Sequence, residues 1–134
     1  MFKIKINTIQ REQFIDITDK LNYLVADSGF VDGIATVFIP HTTAGVTINE
    51  NADPTVKSDI LKKLSALVPY QDGYSHLEGN SDSHIKTLMT GSSCMIPVVS
   101  SRLQLGTWQG VYFCEYDGPR TREIWIKLLG EFEN

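Results

Sequence analysis

Gly110-Val111-Tyr112-Phe113-Cys114-Glu115-Tyr116, then Asp117-Gly118-Pro119, then Glu123-Ile124-Trp125-Ile126-Lys127-Leu128-Leu129 reads as a strand, a turn and a strand. The two runs are rich in β-branched and aromatic residues, and the second alternates apolar with polar positions, as a half-buried strand does. Asp-Gly-Pro between them is a turn signal, because glycine admits conformations closed to other residues and proline restricts its own backbone. Cys94 to Val99 and Arg102 to Thr107 read as two further strands just upstream.

The pattern continues toward the N-terminus. Phe2, Ile4 and Ile6 alternate with Lys3, Lys5 and Asn7, which predicts a strand, and Phe14, Ile15 and Ile17 are expected to form its hairpin partner. Thr18 can cap a short helix whose Leu21, Leu24 and Val25 share a face and which stops at Gly29. Gly33 to Pro40 and Gly45 to Asn49 read as strands. Asp53-Pro54 starts a second helix with Val56, Ile60, Leu64, Leu67 and Val68 on one side. Pro69 ends it, Tyr70 to Gly79 is a loop, and Asn80 or Ser81 caps a third helix running to Thr90 before Gly91. Strands interrupted by about three short helices, without βαβ alternation, predict an α+β fold with a largely antiparallel sheet, as a single compact domain over residues 1–134.

Composition bounds the functions open to this chain. At 134 residues it suits one domain with a real core. A net charge of −4 argues against a general electrostatic grip on nucleic acid, which needs clustered Lys and Arg. No apolar run approaches the roughly 18 residues of a membrane span, and the N-terminus lacks a signal-peptide core, so a cytoplasmic location is expected. Cys94 and Cys114, flanked by apolar residues, read as buried reduced thiols. Trp108 reads as a core indole, with stacking on an aromatic substrate as the alternative.

The three histidines carry the functional signal. His41 opens the polar turn His41-Thr42-Thr43, His76 lies on the loop, and His84 falls in the first turn of the third helix. Three imidazoles with an open position form a ligand set of catalytic zinc, yet no His-Glu-x-x-His spacing is present. Metal ligation, general-base work and plain structural roles all stay open on the residues alone. Thr42, Thr43, the amides at the Asn80 helix start, and the guanidinium groups of Arg120 and Arg122 together suit a phosphate. Arg120 could equally pair with Asp117 or Glu115, and Asn80 could simply cap its helix. Glu50, at a strand end before a polar turn, is the candidate acid or base.

Pro40-His41-Thr42-Thr43-Ala44, Ile48-Asn49-Glu50-Asn51, His76, the Asn80-to-His84 segment, Leu105-Gly106-Thr107-Trp108-Gln109 and Asp117-Gly118-Pro119-Arg120 occur in this order. In these motifs the chain resembles the YjbQ-like family, known as the secondary thiamine-phosphate synthase family. The resemblance implies a homotrimer with sites near subunit interfaces and a histidine cluster holding a divalent metal, zinc or alternatively magnesium. It also implies a weak thiamine-phosphate synthase activity, a transfer in which hydroxymethylpyrimidine diphosphate is joined to thiazole phosphate with loss of diphosphate. Carried over by position, His41, His76 and His84 are the metal-binding residues, with His41 and Glu50 in the catalytic role. Thr42, Thr43, Asn80 and Arg120 are then expected to bind the phosphorylated substrate. A non-catalytic binder of a phosphorylated metabolite and a zinc-dependent hydrolase are the competing readings. The chain departs from the family at Asp82, often histidine there, and at Ser101, often glycine.

Overall fold

The computed structural model describes residues 1–134. Its elements run β1 (Phe2–Asn7), β2 (Gln13–Asp16), α1 (Thr18–Asp27), β3 (Phe30–Phe38), β4 (Ala44–Glu50), α2 (Pro54–Leu67), α3 (Ser81–Thr90), β5 (Ser93–Val99), β6 (Arg102–Leu103), β7 (Gln109–Glu115) and β8 (Thr121–Phe132). The fold is α+β, and every strand pair is antiparallel. The strands form two sheets, of order β1-β8-β3-β5-β6 and β2-β7-β4.

Strand alternation explains the layering. Ala35 and Val37 of β3, Ile96 and Val98 of β5, and Ile124, Ile126 and Leu128 of β8 point inward from the larger sheet. They meet Val46 of β4 and Val111 and Phe113 of β7, while Leu21 and Val25 of α1 close one side. Each such aliphatic side chain contributes about 1.5–3 kcal/mol when fully buried. The opposite face of β7 carries Tyr112 and Cys114, which join Phe14 and Tyr116 beneath Ile60, Leu61 and Leu64 of α2. Sandwiched in this way, β7 is buried along nearly its whole length.

Four expectations need correction. The N-terminal hairpin does not form: β1 pairs with β8 and β2 with β7, because Thr8 to Glu12 carries the chain from one sheet to the other. Alternation identifies a strand's faces but not its partner. The strand expected from Arg102 to Thr107 stops at Leu103, since Gly106 and Gln109 close a turn through the Gln109 side chain and backbone. Trp108, on that turn, is 62% exposed and outside the core. Asp53 does cap α2, accepting from the Thr55 amide, and Gly29 follows α1 at φ 78°. Thr18 does not cap α1: Ile17 holds the N-cap position and Thr18, the first helical residue, donates to Asp16.

Two crossovers position the site. The chain leaves the larger sheet after β3 and enters the smaller one at β4, and it returns between β7 and β8. Both crossings lie at one end of the layers, as Phe38↔Trp125 and Ala44↔Glu115 pair there. Helix α3 packs against β4 at the same end. Gly45 permits this approach: a Cβ there would lie 2.5 Å from the Gly91 carbonyl oxygen and 2.8 Å from Thr90 Oγ1.

Candidate functional site

The crossovers and the start of α3 enclose a cleft of about 650 Å³. Its lining includes His41, Thr42 and Thr43 from the β3–β4 crossover, His76 and Glu78 from the long loop, and Asn80 and His84 from α3. Arg120 and Arg122 come from the β7–β8 side. Of thirteen lining residues only two are hydrophobic, so the cleft suits a polar ligand.

His41 is held in a defined tautomer. Its Nε2 accepts the Glu123 amide hydrogen at 3.0 Å, so in the neutral ring the proton sits on Nδ1 and that atom is the free donor. Burial, and then the Arg122 guanidinium, lower its pKa from the ordinary 6.5, which favours this neutral form. His76 and His84 meet edge to face with ring centres 5.6 Å apart. Two imidazoles on one tetrahedral ion, with Zn–N near 2.0–2.1 Å, place their ring centres roughly 5 Å apart. The separation is close to that value, and the edge-to-face packing aims the edge of one ring at the face of the other. His41 does not join this pair, and no three His, Cys, Asp or Glu side chains converge on a common point.

The two arginines differ in kind. Arg120 is 49% exposed and tied to Asp117 by a 2.9 Å ion pair, so Asp117 and not Glu115 is its partner. Arg122 is 4% exposed. Its Nε and Nη2 grip the fully buried Glu115, and Nη2 also donates to the Thr43 hydroxyl at 2.8 Å. Burial pushes the Glu115 pKa up, but hydrogen bonds from Arg122, the Asp117 amide and Thr8 outweigh it and hold the carboxyl below its usual range. Asn80 occupies the N-cap position without capping by its side chain; its Nδ2 donates to Asp117 at 2.8 Å. Its Oδ1 is the one buried side-chain polar atom without a partner, a desolvation cost of about 1–3 kcal/mol. As an acceptor, that oxygen offers nothing to a phosphate; the free amides at the start of α3 would do so.

Asp82 points away from the histidines. Its carboxylate takes both Arg11 terminal nitrogens at 3.0 and 3.1 Å and Lys86 Nζ at 3.1 Å, and Lys86 also reaches Glu12 at 2.8 Å. Arg11 in turn stacks on Tyr70, 3.6 Å from the ring centre. Asp82 thus serves as an anchor for α3 and adds no carboxylate to the cleft. Glu50 is not brought to the cleft either: it ends β4 opposite Gln109, and its carbonyl accepts from the Tyr112 hydroxyl. Arg122, weighed in sequence only beside Arg120, proves the better buried of the two, and Glu78 and Ser92 line the cleft without any motif to flag them.

A family model described as UPF0047 protein YjbQ-like matches residues 2–131. The chain belongs to the YjbQ-like UPF0047 family. Among its UPF0047 relatives, one from Methanocaldococcus jannaschii is 50% identical over 98% of this chain and 95% of its own length. YugU of Bacillus subtilis is 46% identical, covering 95% of this chain and 97% of its own. A crystal structure of a YjbQ/UPF0047 protein from Clostridium acetobutylicum superposes with a TM-score of 0.93 at 50% identity, over 96% of this chain and all of that one. An Aeropyrum pernix structure gives a TM-score of 0.92 at 37% identity, over 97% and 98%. The antiparallel layers that frame the cleft are thus those of the YjbQ-like fold.

Proposed function

We propose that this YjbQ-like protein binds a phosphorylated small molecule in the histidine-lined cleft and catalyses weak thiamine-phosphate synthesis there. The observation that carries the reading is the gathering of three imidazoles, two threonines and two guanidinium groups from separate segments around one polar cleft. In the reaction, hydroxymethylpyrimidine diphosphate loses diphosphate and its methylene carbon joins the thiazole nitrogen. The step therefore needs charge stabilisation on the leaving group. Thr42, Thr43, Arg120 and the amides at the head of α3 supply donors for that charge. His76 and His84 would hold a divalent ion, zinc by donor type or magnesium, which when bound supplies Lewis-acid stabilisation. His41, neutral and fixed by the Glu123 amide, donates through Nδ1.

A non-catalytic binder is favoured by one observation: Glu50, the expected acid or base, stands outside the cleft. Incubation with both precursors and zinc or magnesium, followed by mass spectrometry for thiamine phosphate, tests the synthase reading. Product that disappears in His84→Ala supports it; saturable precursor binding with no product under either metal assigns the binder. We further propose a homotrimer in the cytoplasm. The outer face of the larger sheet exposes Ile34, Phe38, Met95 and Leu129, an apolar surface suited to a second copy, and both cysteines are free thiols. No helix is long and apolar enough to cross a membrane.

A further inference from the structure

We propose that Arg122, buried under the cleft, is the anchor for the ligand's phosphoryl group, with Thr43 and His41 completing a three-donor oxyanion subsite. The inference rests on the reading that a phosphorylated molecule occupies this cleft and specifies the atoms that grip it.

Arg122 has three nitrogens. Nε and Nη2 are consumed by Glu115 and by the hydroxyl and carbonyl of Thr43, while Nη1 makes no hydrogen bond within the chain. Nη1 is also absent from the solvent-excluded unpaired atoms, of which Asn80 Oδ1 is the sole member. Arg122 lines the cleft, so its unpaired nitrogen opens there. Glu115 and Thr43 lock the rest of the fork, and the donor is preorganised without the ordering cost of an exposed side chain.

Thr43 Oγ1 accepts from Arg122 and donates to no group in the chain, which leaves its own hydrogen for a ligand. His41 adds Nδ1–H by the tautomer argument. Three donors from residues lining one cleft match the oxygens of a phosphoryl group. Arg120, by contrast, has two of its nitrogens on Asp117 and half its side chain in solvent, so it acts at the rim.

The test is a titration of inorganic phosphate and diphosphate into protein labelled with ¹⁵N-arginine, observing side-chain resonances. Saturable shifts of Arg122, with Arg102 unmoved, are expected. Arg122→Lys, which keeps the charge opposite Glu115 but not the second nitrogen, should weaken phosphate roughly tenfold or more. Arg120→Ala should do less. Phosphate binding that shifts Arg120 and leaves Arg122 still, or that persists undiminished in a folded Arg122→Lys protein, would overturn this assignment while leaving the cleft a phosphate site. Failure of phosphate, diphosphate and both precursors to bind at all would overturn the functional reading and this one with it.

Discussion

Arg122 and Glu115 form an ion pair that is almost wholly buried, with only the free end of the guanidinium reaching the cleft, so each is safe only while the other is present. Removing one partner of such a pair leaves an uncompensated buried charge and costs about 3–5 kcal/mol. Glu115→Ala should lower stability by that amount in urea unfolding at neutral pH; a loss below about 1 kcal/mol would contradict the assignment. The same chemistry sets the acid response. Glu115 and Asp82 titrate below their ordinary 4.5 and 3.8 in the folded chain, because burial, which opposes ionisation, is outweighed by their basic partners. The unfolded chain therefore binds more protons in acid than the folded one. Stability is full above about pH 5 and is lost as pH falls through the folded values. Urea midpoints between pH 7 and pH 3 should show this fall, and Glu115→Gln should flatten it.

Helix α3 is the element on which the cleft depends, since it carries Asn80 and His84 and is seated by Gly45 below and by the Asp82–Arg11–Lys86 network alongside. Gly45→Ala would drive a methyl group into the Gly91 carbonyl, and overpacking of this kind costs about 1–3 kcal/mol. It should also weaken phosphate binding by displacing α3; calorimetry on the folded variant measures both effects. Much of this element was legible in the sequence, because caps and breakers are local: Gly91 marks its end and Asn80 its start. The histidines could likewise be placed on a strand end, a loop and a helix turn. What local pattern cannot carry is partnership across the chain. Alternation at Phe2, Ile4 and Ile6 gave β1 its faces but not β8 as its neighbour, and nothing near Arg122 foretold that Glu115 and Thr43 would leave one nitrogen free. Glu50 misled for the same reason: its setting at a strand end is polar, but that strand end is the one remote from the cleft.

At the scale of the molecule, two sheets meet over one core and place both crossovers at one end, while the outer face of the larger sheet carries exposed apolar side chains beside Lys127. Phe38 stacks on Trp125 there, with Ile34, Met95 and Leu129 exposed on the same sheet. The proposed homotrimer, with that face buried between copies, predicts a solution mass about three times 15.0 kDa by light scattering. Ile34→Arg should lower it; a wild-type monomer would refute self-association. The claim that the cleft receives a phosphoryl group is tested most directly by calorimetric titration of diphosphate, with magnesium, into wild-type protein and Arg122→Lys. The expected result is one saturable site per chain whose affinity drops roughly tenfold, about 1.4 kcal/mol, in the variant. Absence of saturable binding to the wild-type protein would contradict it, while equal affinity in both would overturn Arg122 as the anchor and leave the cleft a phosphate site.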